Sequence, residues 1–587
     1  MFKREYILQK ILLTISMIFI LIYAGSFLSE KHGISAYEAE NFTIANSSES
    51  LGNSPYTWSY NTVSLEEKFQ DLPYFTELFH VWKQVKNCWS NSKAATELQI
   101  KNTEFSNSDW IENSYYDNLL HVDRDEVYQF SSVSDKCIAT QKAPFYYWIL
   151  HFFSSLFDGV GIYQVTFFIH AIILFFSSFL IFTIGEKYMD SGWAGFVAAI
   201  FYGLCMGCFT NLLCTTPYLF ASFFMLVCIY LNFSLLRDTA LGILFAQVMI
   251  TANVLGNLTD YSYTLFSFLL GIILCITLLC YHRIQDTLKY ITVWILSAFI
   301  TIFIYPAALL HLSSHFLSFK EKAGALFASG ELIQVFTQNC KEISNQTFSE
   351  TTLFIGIFLL VMIVFAAYFK KRTFNEVYED WYQRLITQDI ADMLLMIIGF
   401  FYFLTICLIN PTTSYFVLST ILPIFCLSFA YILYHLGMAI LHTERNSGFL
   451  GLAFVCLICF FSLKTSTLNY IYTNNAANLD FANTYYKEYC IFLTSDSMSP
   501  KDHLLELEKY EHSMVLNAEQ LKSLKKNKTF QSLNQVLVYL SNEDYVKGVA
   551  DIIAKYGNFE LSKDLYNYRD ENGTHIYVYL LQRLGTQ

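Results

Sequence analysis

The chain has 587 residues, 54% hydrophobic and 18% aromatic, with only 15% charged and a net charge of −12. A soluble globular chain carries roughly a quarter charged residues, and nucleic-acid binding needs a basic face. The totals speak against both and point to a chain that meets lipid.

The apolar excess falls in long blocks, as spanning helices require. The first block, 7–28, follows Lys3 and Arg4 and is too long for a signal peptide, so it reads as an uncleaved anchor. A polar loop, 29–143, comes next, with aromatics at Trp58, Tyr60, Trp82, Trp89 and Trp110. It ends in an aromatic amphipathic stretch from Lys142 through His151 that suits a helix lying in the interface. Further spans are predicted at 162–184, 192–211, 216–236, 239–257, 262–281, 289–311, 351–369, 390–410, 415–436 and 448–464. That gives about eleven crossings of ~20 residues each. Lys10, Lys187, Arg237, Arg283, Lys289, Lys370, Arg372 and Arg445 then all fall on one side with the N-terminus. The positive-inside rule makes that side cytoplasmic, and the first loop, 312–350 and the C-terminal region face outside.

The C-terminal region alternates short β-type runs (490–493, 514–516, 536–539 and 575–579) with helical patterns over 501–511, 517–525 and 543–556. This predicts a small α/β domain with a partly parallel sheet. The expected architecture is a polytopic α-helical plasma-membrane protein with an N-terminal helix (1–28), an outer loop with interfacial helix (29–158), a multi-span domain (159–468) and a soluble extracytoplasmic domain (469–587). The fourteen cysteines lie mostly in apolar blocks and lack zinc-type spacing. His311 and His315 sit at i, i+4 spacing without an evident third ligand, so neither a metal nor a cofactor is expected.

Two carboxylates, Glu38 and Glu40, lie just past the first span. Two readings are open: solvated loop acids, or a general base that takes a proton from an acceptor hydroxyl while a lipid-held donor waits in the bilayer. Asp260 sits at a span end, where a bundle-facing acid would be costly unless functional. The group at Asp123, Asp125 and Glu126 surrounds Arg124 and reads as a surface ion-pair cluster.

The order of several short motifs resembles the GT-C class of bacterial membrane glycosyltransferases, related to the protein O-mannosyltransferases and the lipid A aminoarabinose transferases. Glu38 falls at the second acid of that family's Asp-Glu pair. Ala143-Pro-Phe-Tyr-Tyr147 with His151 resembles its interfacial helix. Thr216-Pro-Tyr218, Gly256-Asn-Leu-Thr-Asp260-Tyr-Ser-Tyr263 and Tyr305-Pro-Ala-Ala-Leu-Leu-His311 resemble later segments. The likeness covers residues 10 to 430. Tyr37 stands where the family places Asp, Thr216 and Ser414 where it places Arg, and Asp260 where it places His.

The resemblance implies transfer of a sugar from a polyprenyl-phosphate donor to an outer-face glycan, lipid or protein acceptor. Glu38 would be the base and Glu40 its understudy. Tyr146, Tyr147, Tyr218 and Tyr261 would line the donor groove unless they are interfacial anchors. Lys142 would supply positive charge in place of the missing arginines, and Asp260 and His311 complete the expected substrate-binding set. Losing the arginines favours an alternative, a member that binds lipid-linked sugar or a partner without catalysis. A transporter fits less well, because the spans hold almost no ionisable residues.

Overall fold

The computed structural model describes residues 2–46, 107–122, 124–157, 159–189, 191–237, 242–348, 390–409, 415–465, 472, 475–493, 500–517, 520–541, 550, 552–570 and 574–583. The expected span 351–369, most of the first loop with Trp58, Tyr60, Trp82 and Trp89, and the sites Asp123 and Ser414 lie outside them.

The protein is a polytopic helical membrane protein. Among the described residues eight helices are long and apolar enough to cross a bilayer: Tyr6–Leu28, Ile162–Tyr188, Tyr218–Arg237, Tyr261–Cys280, Ile284–Ile304, Ala391–Ile409, Tyr415–Met438 and Glu444–Leu463. The first belongs to helix α1 (Phe2–Leu28), whose Ile7, Ile11, Ile15, Ile18, Phe19 and Ile22 are exposed, the pattern of a helix that meets lipid on most of its surface. Two of the eleven expected spans take other forms. The stretch 192–211 is a pair of helices, Gly192–Leu204 and Met206–Leu213, bent by 54°. The stretch 239–257 is the 17-residue helix Ile243–Thr259, about 25 Å long at the α-helical rise and so short of a full hydrocarbon thickness. The bend falls at Cys205, whose extended backbone interrupts the helical ladder and turns Met206–Leu213 towards the end of α1.

Helices Ile162–Tyr188 and Gly192–Leu204 cross with no side chain between them. A Cβ on Gly195 would lie 2.5 Å from the Phe182 carbonyl oxygen, and one on Gly185 would land on Gly195 itself. Small residues are the usual means of such close approach in membranes. Gly195→Ala is therefore expected to destabilise the protein by about 1–3 kcal/mol through overpacking. Thermal unfolding in detergent checks this, and an unchanged midpoint would mean that the helices separate at little cost.

The C-terminal region builds a six-stranded mixed sheet of order β1-β3-β2-β4-β6-β5. The strands are β1 (Asn107–Glu112), β2 (Tyr489–Leu493), β3 (His512–Leu516), β4 (Gln535–Ser541), β5 (Phe559–Arg569) and β6 (His575–Arg583). β2 runs parallel to both β3 and β4, and the remaining pairs are antiparallel. The edge strand β1 comes from the first loop, with Asn107 opposite Val515 and Ile111 opposite Ser513. Along the strands, Cys490, Phe492, Val515, Leu537, Tyr539, Ile576 and Val578 join a core continuous with the helical bundle. Ile491, Leu493, Met514, Leu516, Val536, Val538 and Leu540 form a second core on the other face. Burial of both faces explains why these strands read as continuous apolar runs. The expected helices 501–511 and 517–525 are shorter than anticipated: a turn of 3₁₀ helix at Pro500–His503, one α turn at Leu504–Leu507, and 3₁₀ helix at Gln520–Lys525. Of 543–556, residues 543–549 and 551 lie outside the described residues, and 552–557 are helical.

Lys187, Arg237, Arg283 and Arg445 lie at the bundle end opposite the sheet. There an Arg237 guanidinium N–H donates to the Lys187 carbonyl, and Arg283 donates to the Leu236 carbonyl (2.9 Å) and pairs with Asp286 (2.7 Å).

Candidate functional site

Past α1 the chain makes a short linker and enters helix α2 (Ala36–Asn46). Ser35-Ala-Tyr-Glu38 opens that helix as a reciprocal capping box. The Glu38 N–H donates to Ser35 Oγ (3.2 Å), and the Ser35 N–H donates back to Glu38 Oε2 (3.1 Å). Glu38 Oε1 accepts from Lys31 Nζ (2.6 Å) and from the Thr215 N–H (3.1 Å). Lys31 also donates to the Leu213 carbonyl (2.8 Å), satisfying the C-terminus of the bent half-helix. Both side chains of the Lys31–Glu38 pair are 0% exposed. Burial works against the Lys31 ammonium, but its contacts with Cys214 and the Glu38 carboxylate outweigh burial and raise its pKa above the ordinary lysine value, with Glu38 the charged partner at neutral pH. Burial also pushes the Cys214 thiol up, so the thiol stays protonated at neutral pH and Lys31 is paired with Glu38. The carboxylate expected to serve as base is thus sealed inside the protein with all its partners supplied.

Glu40, half a turn on, keeps partial contact with solvent. It pairs with Lys142 at 3.0 Å, and the two side chains are 31% and 20% exposed. Burial raises the Glu40 carboxyl, but the Lys142 charge and hydrogen bond, helped by Lys501, hold it below the usual carboxylate range. Burial likewise opposes the Lys142 ammonium, and Glu40 more than compensates. Lys142 Nζ donates to Asn41 Oδ1 (3.1 Å) and lies 4.7 Å from the centre of the Tyr37 ring, within cation–π range. Asn41 ties the group together. Its Oδ1 also accepts from the Tyr147 hydroxyl (2.8 Å), and its Nδ2 donates to the Thr215 carbonyl (2.6 Å).

An aromatic wall stands beside this ion pair. Tyr37 stacks on Tyr218 (6.3 Å, 12°) and on Phe416 (5.6 Å, 20°), and its hydroxyl meets that of Tyr218 at 3.2 Å. Tyr146 and Tyr147, on the helix Phe145–Leu156, are buried against the bundle and are not lipid-facing anchors. The Tyr146 hydroxyl meets His170 Nε2 at 3.2 Å.

Asp260 caps the helix Tyr261–Cys280, accepting from the Ser262 N–H (2.8 Å). Burial raises its carboxyl despite the hydrogen bonds from Ser262 and the pull of His315 and Lys142. Tyr261 and His311 fasten the segment that carries Lys142. His311 Nε2 lies 3.2 Å from the Ile138 carbonyl and must donate to it, so Nδ1 accepts from the Tyr261 hydroxyl at 2.7 Å. Burial pushes His311 down to about 3, which keeps it neutral. Tyr305 donates to the Lys142 carbonyl (3.3 Å). Among the described residues no three His, Cys, Asp or Glu side chains converge as metal ligands would.

No family model matches the sequence, and no curated protein matches it significantly. In three dimensions the chain is similar to ArnT from Cupriavidus metallidurans. The structure bound to undecaprenyl phosphate gives a TM-score of 0.42 at 9% identity, covering 78% of this chain and 94% of that one. The apo structure gives 0.40 at 10% identity, covering 77% and 92%. A likeness this distant concerns the course of the chain and nothing finer.

The structure therefore gathers Glu40, Lys142, Tyr147, Tyr218 and Asp260 about Tyr37 and Asn41, fastens the Lys142 segment from behind with Tyr261 and His311, holds Tyr146 against His170, and sets Glu38 apart with Lys31. Sequence reasoning missed Lys31, Tyr37 and Asn41. The Ser-x-x-Glu capping-box spacing was a legible sign that Glu38 belongs to a helix start. Asn41 follows Tyr37 at i, i+4 and so shares its helix face.

Proposed function

We propose that this protein is a membrane glycosyltransferase that moves a sugar from a polyprenyl-phosphate donor to an acceptor on the outer face. The observation that carries the reading is the partly exposed Glu40–Lys142 pair beside the stacked ring of Tyr37. The ammonium is a ready partner for a donor phosphate, and stacked tyrosines suit the face of a sugar. When a phosphate enters, Lys142 turns to it and leaves Glu40 free of its cation. The acceptor hydroxyl oxygen attacks the anomeric carbon, the bond from that carbon to the phosphate oxygen breaks, and polyprenyl phosphate leaves with the electron pair. Glu40 takes the hydroxyl proton, and the configuration at the sugar inverts. The gathering of basic connections at the bundle end opposite the sheet supports an outward-facing site.

A second reading, lipid-linked sugar binding without turnover, is favoured by the sequestration of Glu38, which leaves one accessible carboxylate on α2. Purified protein in nanodiscs separates the two. Undecaprenyl phosphate is expected to bind more tightly than undecaprenol, and Lys142→Met to weaken that preference about 10- to 100-fold, the worth of one charge-assisted contact. Equal affinity for the phosphate and the alcohol would end both readings. Binding with no change in cell-envelope glycans on gene deletion would leave the second.

A further inference from the structure

We infer that the C-terminal domain is a working part of the site, with Asp502 as a positioning residue that sets α2, and hence Glu40 and Asn41, against Lys142; this rests on the function proposed above.

Three contacts reach from that domain and the chain leading into it to the linker after α1 and the first residue of α2. Asp502 Oδ1 accepts from the Ala36 N–H at 2.6 Å. It thereby caps the first turn of α2 from a position 466 residues away in the sequence. Asn475 Nδ2 donates to the His32 carbonyl at 3.1 Å. The Tyr472 side chain lies against Gly33 so closely that a Cβ there would stand 2.5 Å from it. The capping box already satisfies the Ser35 N–H, and Asp502 takes the next donor in line. The first amides of a helix have no partner within it, so whichever group meets them fixes where the helix begins.

Asp502 is itself firmly placed. It belongs to the 3₁₀ turn Pro500–His503. The next residue, His503, is buried with Nδ1 3.1 Å from Glu506 Oε1, and the Tyr568 hydroxyl donates to Glu506 Oε2 at 2.7 Å. These side chains anchor the turn to β5 and leave Asp502 pointing at α2. Lys501, in the same turn, lies close enough for its charge to act on Glu40. Two residues of one turn thus address the two ends of the first helical turn, one by hydrogen bond and one by charge.

The test uses full-length protein in nanodiscs and two independent readouts. In Asp502→Ala, amide exchange at residues 36–41 is expected to rise about tenfold, while β2 and β4 exchange as in the wild type. Asp502→Asn keeps an acceptor oxygen and should restore exchange to within about threefold. In the transfer reaction, Asp502→Ala should lower kcat about tenfold with KM for the donor little changed, because the cap orders the base and does not touch the donor; Asp502→Asn should recover most of the loss. Unchanged exchange at 36–41 in Asp502→Ala, or equal effects of Ala and Asn, overturns the inference. If Asp502→Ala fails to fold, Gly33→Ala decides it: displacing Tyr472 should loosen 36–41, and wild-type exchange there overturns the inference. If the wild type transfers no sugar, the proposed function fails, and the exchange readout still judges the positioning role by itself.

Discussion

Glu38→Gln is expected to destabilise the protein by about 3–5 kcal/mol, the usual effect of removing one partner from a buried ion pair. Gln can still reach back in the capping box, so the loss comes from the Lys31 ammonium, left inside the protein against a neutral amide. Lys31→Met should cost a similar amount for the mirror-image reason. The double variant Lys31→Met, Glu38→Leu should be more stable than either single one, because two apolar side chains leave no orphaned charge. Unfolding in detergent, followed by thermal midpoint, ranks the four proteins. A Glu38→Gln protein as stable as wild type but devoid of transfer would instead show that this carboxylate does the chemistry.

The opposite pattern is expected two residues further along the helix. Glu40→Gln should cost less stability than Glu38→Gln, about 1–2 kcal/mol, because this pair keeps partial solvent contact while the Lys31–Glu38 pair has none. It should lower transfer by about 10²- to 10⁴-fold, the range for loss of a general base. The pH profile adds a second check. The Lys142 charge holds the Glu40 carboxyl below its ordinary range, so in the free enzyme the base stays ionised through the pH at which common carboxylates protonate. The acid limb of kcat/KM should therefore lie below the usual carboxylate value. Lys142→Met removes the charge that opposes burial and should move the limb to higher pH. A limb that stays in place would detach Glu40 from the rate.

The sequence carried some of this plainly. Long apolar runs announced the spans because lipid demands them, and 490–493, 514–516, 536–539 and 575–579 announced strands because both faces of the sheet are buried. What stayed hidden has physical reasons. β1, read as Asn-Ser-Asp-Trp-Ile-Glu, has little strand character, and its partner lies at the far end of the chain. β5 is an edge strand with two register shifts, so its polar Glu560, Lys563 and Asp564 mask the alternation. The kink at Cys205 involves neither proline nor glycine at the break. Within the site, Glu38 and Glu40 look alike as letters two apart. A helix turns about 200° between them, which sends one inward to Lys31 and the other to Lys142.

The pairing of β1 with β3 also bears on how the molecule is made. Asn107 and Val515 sit side by side although roughly 400 positions separate them, a long-range closure of the kind that folds late. Synthesis proceeds from the N-terminus, so β1 emerges long before its neighbour and waits with a bare hydrogen-bonding edge. The sheet can close only once the last membrane helix is in place and the final segment has been delivered to the same side. A truncated or mis-threaded chain would keep that edge open and offer it to chaperones or proteases, which makes completion of the sheet a built-in inspection of the whole assembly.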